Sequence, residues 1–339
     1  MNKIKLLYIG NKLSKHGNTP STIETLGKQL EVLGFKVYYA GQIKNKVLRL
    51  LEMQIAILKN LRKTKYVLID TYSTNAFWFA FCSGVLCRLC NKKYITILHG
   101  GDLPTRLKRN PKLCNILFNY SHLNVAVSNY LHTEFKKRGL NSIVIPNNID
   151  IENYPFKERV EFNPKLLWVR SFQKEYNPDM MVYITEELIK DFPNIKVCMI
   201  GPDKDGSMDR VKSLITSKNL ENSFEITGRL EKKEWIKKAR NYDIFVNTTN
   251  FDNTPVSVIE AMALGLVVVS TNVGGLPYLL ENKKDALLSN KEDVIGMVDN
   301  IELVLSNQLN VSKLINNARL KAESYNWEEV KEKWKTILK

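Results

Sequence analysis

Short apolar runs alternate along this chain with longer stretches in which apolar residues recur every three or four positions. The runs predict buried strands, and the spaced residues predict amphipathic helices. The predicted strands of the first half are residues 4–9, 35–39, 66–69, 94–98, 123–127 and 142–145. Those of the second half are residues 166–169, 196–200, 224–227, 244–247 and 267–270. This alternation predicts an α/β fold with two doubly wound parallel-sheet, Rossmann-like domains.

A polar stretch at residues 150–164 separates the two series of strands. At 339 residues the chain is long enough for two domains, each with its own core. We therefore predict a first domain at residues 1–155 and a second at residues 156–324. No secretory signal is predicted, because the chain opens with a short, charged, strand-like segment. The longest apolar run, residues 76–86, is shorter than the ~20 residues that span a bilayer, and it predicts a core helix.

The five cysteines follow no regular spacing. This pattern argues against a disulfide framework and favours a reducing compartment. Cys87 and Cys90 form a CxxC motif inside an apolar stretch that predicts a helix. No second pair and no nearby histidine accompany them, so we interpret both as core residues rather than as zinc ligands.

Positive charge is concentrated in the first half. Residues 1–150 hold 23 Lys and Arg against 7 Asp and Glu, whereas the remainder holds 27 against 28. Such a basic half attracts polyanions, either nucleic acid or the anionic lipid of a membrane surface, although a merely solvated surface is an alternative. No nucleic-acid recognition motif and no interleaving of basic and aromatic residues occurs, so we expect no nucleic-acid partner.

Two basic clusters carry this charge. They are Lys44, Lys46, Arg49, Lys59, Arg62, Lys63 and Lys65, and then Arg106, Lys108, Arg109 and Lys112. The first cluster brackets apolar residues at spacings of three and four, namely Leu48, Leu51, Ile55 and Leu58. This spacing predicts one helix that carries both a core stripe, formed by those four residues, and basic positions.

The most informative segment, residues 250–280, reads NFDNTPVSVIEAMALGLVVVSTNVGGLPYLL. Its carboxylates Asp252 and Glu260 can accept hydrogen bonds from sugar hydroxyls. The alternatives are a turn or cap role for Asp252 and a surface ion pair for Glu260. Gly274 and Gly275 precede a predicted helix, where backbone N–H groups favour an anion such as phosphate. The combination predicts a site for a sugar nucleotide.

This segment resembles the acidic-x7-Glu signature of retaining glycosyltransferase family 4, followed by its EAMA, VVxT and GG elements. The resemblance implies a GT-B fold, in which two Rossmann-like domains face a cleft. It also implies that Glu260 holds the nucleotide ribose and that Asp252 lies beside the transferred sugar. Asp252 departs from the family, which usually has Glu there. The last helix, within residues 325–339, resembles the family's closing helix, which crosses back to the first domain.

Two loops that follow first-half strands carry further candidates. Gly10 and Gly17 lie in GNKLSKHGNTP, where glycine lets the backbone approach a phosphate or a sugar, and a plain strand-to-helix loop is the alternative. Their spacing is not a dinucleotide fingerprint. His99 and Asp102 lie in HGGDLP. The resemblance implies that His99 reaches the donor sugar, the alternative being a structural histidine, and we expect Asp102 to contact the acceptor.

The loop after the first strand of the second half reads WVRSFQKEYNP. The family has an arginine here and, six residues later, Lys-Gly, and these cations clamp the diphosphate. Arg170 matches the arginine, whereas Tyr176 and Asn177 occupy the places of Lys and Gly. Lys174, two residues early, is a candidate substitute or else a solvated charge. The resemblance also assigns donor-loop positions to Gly201, Arg229 and Leu230.

The resemblance implies a retaining transferase that moves a sugar from a nucleotide diphosphate sugar to a glycan or lipid-linked acceptor in bacterial cell-surface polysaccharide synthesis. We expect His99, Arg170 and Asp252 to act in catalysis. Departing diphosphate charge is expected to be stabilised by Arg170, by Gly274 and Gly275, and by the backbone of Asn253 and Thr254. No cofactor and no metal ion is expected.

Two other functions remain open at this point, a nucleotide-sugar epimerase of the same architecture and a non-catalytic sugar-nucleotide-binding protein. Binding of a sugar nucleotide without hydrolysis or transfer would favour the non-catalytic protein over an enzyme. The basic first half further predicts a cytoplasmic protein that is held peripherally on the anionic inner face of the plasma membrane.

Overall fold

Parallel strands form the centre of each half of the chain in the computed structural model, which describes residues 3–17, 20–306 and 309–339. The chain divides into two compact units. Unit 1 comprises Met1–Pro146 and Lys331–Lys339, and unit 2 comprises Asn147–Val330.

The sheet of unit 1 contains β1 (Lys5–Ile9), β2 (Lys36–Ala40), β3 (Tyr66–Thr71), β4 (Tyr94–Leu98), β5 (Leu123–Ala126) and β6 (Ile143–Val144). Within the described residues these strands pair in parallel in the order β2-β1-β3-β4-β5-β6. β3 and β4 are buried along their whole length, because helices cover both faces of a doubly wound sheet.

The helices of unit 1 follow its strands as crossover connections. They are α1 (Thr22–Val32), α2 (Lys46–Asn60), α3 (Phe77–Leu89), α4 (Leu103–Arg109), α5 (Pro111–Phe118) and α6 (Asn129–Lys136). Helix α2 begins at Asn45, whose side-chain oxygen accepts from the N–H groups of Val47 and Leu48. Such a cap satisfies donors that the first turn of a helix leaves without partners.

Unit 2 repeats the architecture with β7 (Lys165–Val169), β8 (Lys196–Ile200), β9 (Phe224–Gly228), β10 (Ile244–Asn247), β11 (Val267–Thr271) and β12 (Leu287–Ser289). Its described strands pair in parallel in the order β12-β11-β10-β7-β8-β9. Its helices are α7 (Asp179–Leu188), α8 (Ser207–Ser217), α9 (Lys232–Ala239), α10 (Val256–Ala263), α11 (Leu276–Leu279), α12 (Val294–Leu305) and α13 (Val311–Glu323). A last helix, α14 (Trp327–Leu338), begins in unit 2 and belongs to unit 1 from Lys331 onwards.

These two sheets confirm the predicted α/β class with doubly wound parallel sheets. Each strand that the apolar runs predict is present, and β12 is an addition that the sequence reasoning missed. β11 shows why the runs are informative, since all five of its residues are buried. The carboxyl ends of β7 to β11 lead into the loops that carry the candidate donor residues of unit 2, which places those loops along one edge of the sheet.

The predicted core stripe of α2 is wrong. Leu48, Leu51, Ile55 and Leu58 are exposed, each by about half of its surface. The face that packs inward instead contains Arg49, Met53 and Ile57. Both faces of this helix carry apolar residues at helical spacing, so the spacing alone does not tell which face is buried.

Residues 77–86 of the apolar run lie in α3, in which Phe77, Ala80 and Cys87 are fully buried, as predicted for a core helix. Cys90 ends that helix and is half-buried. Among the described residues no group of three or more His, Cys, Asp or Glu side chains is arranged to hold a metal ion. The described helices also include none that is long and apolar enough to cross a membrane.

Candidate functional site

In unit 1, His99 follows the carboxyl end of β4 and is held from two sides. Its Nε2 donates to Asp70 Oδ1 at 2.9 Å, and its ring stacks on Tyr72 with centroids 5.3 Å apart. Only 7% of the His99 side chain is exposed. The imidazole therefore has a fixed orientation, with Nε2 turned towards the buried carboxylate.

Asp70 lies in β3 and is a residue that sequence reasoning missed. Its Oδ1 also accepts the hydroxyl of Tyr8 at 2.9 Å. Burial, and after it the charge of Asp70, raise the pKa of Tyr8, so this phenol remains a hydrogen-bond donor. The available signal was a carboxylate inside the otherwise neutral strand YVLIDT, because a buried charge is rare unless it has partners.

Asp70 also lines a small pocket in unit 1. The pocket is lined by Ile9, Gly10, Asn11, Met53, Asp70, Tyr72, Ala76 and Phe79. Asp70 Oδ2 and Asn11 Oδ1 are buried and have no hydrogen-bond partner in the described part of the chain. A Cβ on Gly10 would lie 2.5 Å from Asp70 Oδ2, so glycine is required where the first loop passes this carboxylate.

The other predicted residues of unit 1 lie in their loops as follows. Gly10 donates its N–H to the carbonyl of Ala40 at 3.3 Å. Gly17 adopts a left-handed conformation with φ of 83° and donates its N–H to Ser14 O at 3.0 Å. Asp102 is exposed and directly precedes α4. The amides of both glycines thus bond within the protein, and Gly10 shapes the loop around Asp70.

In unit 2, the structure brings Arg170 and Asp252 together. Arg170 directly follows β7, and its Nη2 donates to Asp252 Oδ2. The guanidinium carbon lies 3.8 Å from the centroid of the Tyr176 ring. Arg170 Nε is buried and has no partner among the described residues. The guanidinium therefore has the Tyr176 ring against one face and the Asp252 carboxylate at its edge, and its Nε–H is available for a further acceptor.

The departures at Tyr176 and Asn177 have a structural explanation. Asn177 adopts the left-handed conformation, with φ of 45° and ψ of 57°, which asparagine tolerates better than most residues. It thus serves the conformational role of the family's glycine. Tyr176 supports Arg170 rather than providing a cation. Lys174 is exposed, and its backbone N–H donates to Asp205 Oδ2 at 2.9 Å.

The glycine pair acts differently from the prediction. Gly275 donates its N–H to Asp252 O at 2.9 Å, so this amide is not available to a phosphate, and α11 is only four residues long. A Cβ on Gly275 would lie 1.7 Å from Asn253 O, and one on Gly274 2.2 Å from Asp252 O. The pair therefore holds the Asp252 loop in place by close backbone packing, and the Gly275 amide is not the free phosphate donor that was expected; donor binding by the pair stays a prediction.

The backbone amide of Asn253 also makes a hydrogen bond within the loop. Asn253 donates its N–H to Asp252 Oδ1 at 2.7 Å, which corrects the expectation that this amide faces the diphosphate. Asn253 and Thr254 are both buried. The two oxygens of Asp252 are thus shared between Arg170 and the Asn253 backbone.

Glu260 lies on α10 and is 4% exposed. Its Oε1 accepts the hydroxyl of Tyr154 at 2.7 Å and also accepts from the Lys232 ammonium. Burial, and then the Glu260 charge, raise the pKa of Tyr154, which keeps its phenol protonated. Tyr154 and Lys232 were missed, because they lie far from Glu260 in sequence and no local pattern links them. The buried position also excludes a simple surface ion pair for Glu260.

The remaining candidates follow β8 and β9. A Cβ on Gly201 would lie 1.7 Å from Arg170 O, so this glycine lets the backbone of the β7 loop pass close by. Arg229 is exposed, with Nη2 3.7 Å from Glu231 Oε1. Leu230 is half-buried and packs on the apolar cluster that contains Trp235.

Comparison with known proteins places this arrangement in a family. A family model described as "Glycosyl transferases group 1" matches residues 150–321, about half of the chain. The chain belongs to the group 1 glycosyl transferases. The matched residues include Arg170, Asp252 and Glu260, and the predicted enzyme class is confirmed.

Relatives and a solved structure agree with this assignment. The chain is 25% identical over 206 residues to an uncharacterized glycosyltransferase of Haemophilus influenzae. This match covers 60% of the chain and 56% of the relative. The chain therefore spans little more than half the length of that relative. It is 24% identical over 280 residues to the UDP-Gal:alpha-D-GlcNAc-diphosphoundecaprenol alpha-1,3-galactosyltransferase of Escherichia coli, covering 72% and 68% of the two chains.

Among solved structures, the Anabaena protein Alr3699/HepE in complex with UDP superposes with a TM-score of 0.77. The superposition covers 99% of each chain at 16% identity. At this identity the likeness concerns the fold alone, and it confirms the predicted GT-B class.

Proposed function

We propose that this group 1 glycosyltransferase transfers a sugar, with retention, from a nucleotide diphosphate sugar to a glycan or lipid-linked acceptor. The observation that carries the proposal is the grouping of charged side chains in unit 2. Arg170, Asp252 and Glu260 lie on elements that leave the carboxyl edge of one parallel sheet, where α/β folds bind nucleotides. The arginine suits a diphosphate and the carboxylates suit hydroxyl groups.

Arg170 is the proposed clamp for the leaving diphosphate. Its planar fork can donate two parallel hydrogen bonds to phosphate oxygens, and Tyr176 holds the fork in one orientation. In the structure Asp252 balances the arginine charge. Donor phosphate takes over that balancing role when it binds, so that Asp252 is released towards the sugar, as the family resemblance implies.

Glu260 is the proposed ribose ligand. Its carboxylate is held by Tyr154 and Lys232, and such fixed charges bind ribose hydroxyls without reorganisation. Arg229 and Leu230 follow β9 and are proposed to border the base. The proposal includes no cofactor and no divalent ion.

His99 and Asp102 of unit 1 are proposed to contact the donor sugar and the acceptor. The Asp70–His99 hydrogen bond orients the imidazole for such a contact. Two comparisons support the substrate classes. The Anabaena structure contains UDP, and the Escherichia coli relative is named for a UDP-sugar donor and a diphosphoundecaprenol-linked acceptor. We further propose a role in bacterial cell-surface polysaccharide synthesis at the cytoplasmic face of the membrane, which an acceptor of the kind named for that relative would support.

A two-stage experiment tests this function. A thermal-shift screen with UDP-, GDP- and ADP-sugars identifies the donor, since a ligand at 100 times its Kd adds about 2.7 kcal/mol to the free energy of unfolding. NMR of the products with a glycan or lipid-linked acceptor then gives the anomeric configuration. A retained anomer supports the proposal. An inverted anomer, an epimerised free sugar nucleotide, or binding without turnover would each contradict it.

A further inference from the structure

Helix α2 presents an apolar stripe on its outward face. The stripe consists of Val47, Leu48, Leu51, Ile55 and Leu58, whose exposed fractions are 68%, 52%, 52%, 49% and 52%. At 100° per residue these five positions fall within one third of the helix circumference. The opposite face contains the buried residues Arg49, Met53 and Ile57. The stripe is thus the centre of the exposed surface and not the margin of the core.

Five exposed aliphatic side chains on one helix are unusual for a protein surface. Single exposed apolar residues need no explanation, whereas a contiguous apolar patch marks an interaction site. The helix is 15 residues long, which corresponds to about 22 Å. The stripe itself, from Val47 to Leu58, covers about 17 Å of this length, so an interacting surface has to be extended and apolar over that distance.

The charges around the stripe identify the kind of surface. Both ends of the helix are basic, with Lys44 and Lys46 at its start and Lys59, Arg62 and Lys63 at its end, and all five are exposed. The acidic residue of the helix, Glu52, accepts backbone N–H groups of Gly41, Gln42 and Ile43. Its charge is thereby directed at the chain and away from the stripe.

We propose that α2 inserts its apolar stripe into the interface of an anionic lipid bilayer, with the helix lying parallel to the membrane plane. An apolar face bordered by Lys and Arg is the composition of helices that bind in this manner. Basic side chains meet lipid headgroups while the aliphatic side chains enter the acyl boundary. A second copy of the chain is a poorer occupant, because it would bring the same five positive charges against these.

This surface extends the charge-based expectation for the basic half of the chain. Charge alone predicts docking that disappears at high salt, since the Debye length falls to about 3 Å at 1 M. Apolar insertion adds a salt-resistant contribution. Vesicle binding is measured without donor or acceptor, so its outcome is independent of the proposed transferase reaction.

The test is sedimentation with vesicles of phosphatidylcholine containing phosphatidylglycerol, and with phosphatidylcholine alone, at low and high salt. The double variant Leu51→Ser/Ile55→Ser changes no charge and should weaken binding to anionic vesicles at least about tenfold at both salt concentrations. The matched control is Ile295→Ser/Leu320→Ser, which removes exposed aliphatic side chains of unit 2 and should bind like the unmodified protein. The triple variant Lys59→Glu/Arg62→Glu/Lys63→Glu should weaken binding mainly at low salt.

A direct readout of insertion complements sedimentation. Ile55→Trp should gain fluorescence quenching from vesicles that contain brominated acyl chains, whereas Leu320→Trp should show no gain over the unmodified protein. Unchanged binding of the Leu51→Ser/Ile55→Ser variant, or no added quenching at position 55, would overturn the proposal. So would loss of self-association in that variant without loss of vesicle binding, because the stripe would then be an interface between copies.

Discussion

Replacing Glu260 by glutamine removes one charge from the proposed ribose site and preserves the side-chain volume. Glu260 is buried, and its Oε1 is held by the Tyr154 hydroxyl and the Lys232 ammonium. In Glu260→Gln the amide oxygen can still accept the Tyr154 hydrogen bond. The Lys232 side chain is 54% exposed and can return to water. The fold should therefore survive, and donor binding should report the loss of charge.

The size of the effect follows from the hydrogen bonds that change. A hydrogen bond to a charged group contributes about 1.5–3 kcal/mol, against about 0.5–1.5 kcal/mol for a neutral pair. Loss of charged bonds to ribose hydroxyls should raise the donor KM roughly ten- to hundredfold. The kcat should change little, because the ribose is remote from the bond that breaks and is bound equally in the ground and transition states.

Two control variants separate a ligand role from a structural role. Tyr154→Phe removes the 2.7 Å hydrogen bond but keeps the carboxylate, so it should lower the free energy of unfolding by about 1.5–3 kcal/mol with a smaller effect on KM. Glu225→Gln neutralises another lysine-paired carboxylate of unit 2, which is about half exposed, and should leave both quantities nearly unchanged.

The assay is steady-state kinetics with varied donor, together with denaturant unfolding of each variant. A donor KM in Glu260→Gln equal to that of the unmodified enzyme would refute the ribose assignment. An equal rise of KM in Tyr154→Phe and Glu260→Gln would also contradict it, because Glu260 would then act only by supporting the local structure.

Further predictions concern the other charged groups. Arg170→Ala should lower turnover at least about tenfold more than Lys174→Ala, because only Arg170 is fixed by Tyr176 and Asp252. Equal losses of the single-turnover rate in the two variants would refute the role of Arg170 as the diphosphate clamp. Asp70→Asn should lower kcat about tenfold or more, whereas Tyr8→Phe should have a smaller effect, because only the first change removes the carboxylate that orients His99. Equal kcat values in the two variants would show that the hydrogen bond between Asp70 and His99 has only a structural role. Chelation with EDTA should leave the rate unchanged and added Mg²⁺ or Mn²⁺ should not raise it; a metal-dependent rate would contradict the proposed metal-free reaction.

Strand positions could be predicted from the sequence because burial on both faces demands continuous apolar runs. β11 is such a run, and its five residues are all buried. β12 has only three residues, which is too short for a run to stand out from its neighbours. Helix α2 shows the limit of periodicity, since its buried stripe includes Arg49 while its exposed stripe is wholly aliphatic. In this helix, hydrophobicity therefore predicts burial of the face that is exposed.

Some residues of the candidate site could be predicted from the sequence, whereas their contact partners could not. The motif places Arg170, Asp252 and Glu260 in the sequence, but their partners depend on contacts between distant segments. Tyr154 is 106 positions from Glu260, and Asp70 is 29 positions from His99. The glycine pair illustrates a third limit. A glycine before a helix is compatible both with an amide that faces a ligand and with close backbone packing, and only the 2.9 Å hydrogen bond from Gly275 to Asp252 O decides between them.

Two of the departures from the family pattern in unit 2, Tyr176 and Asp252, belong together, because both contact Arg170. A lysine in place of Tyr176 would bring a second positive charge against Arg170, whereas the tyrosine ring attracts the guanidinium through its π face. Asp252 faces the same guanidinium, and its loop is anchored by the Gly275 amide. With the ring behind it and the carboxylate beside it, Arg170 has one orientation. In the proposed reaction, a single preorganised arginine therefore does what the resemblance assigns to an arginine and a lysine, and Lys174 is not required as a substitute.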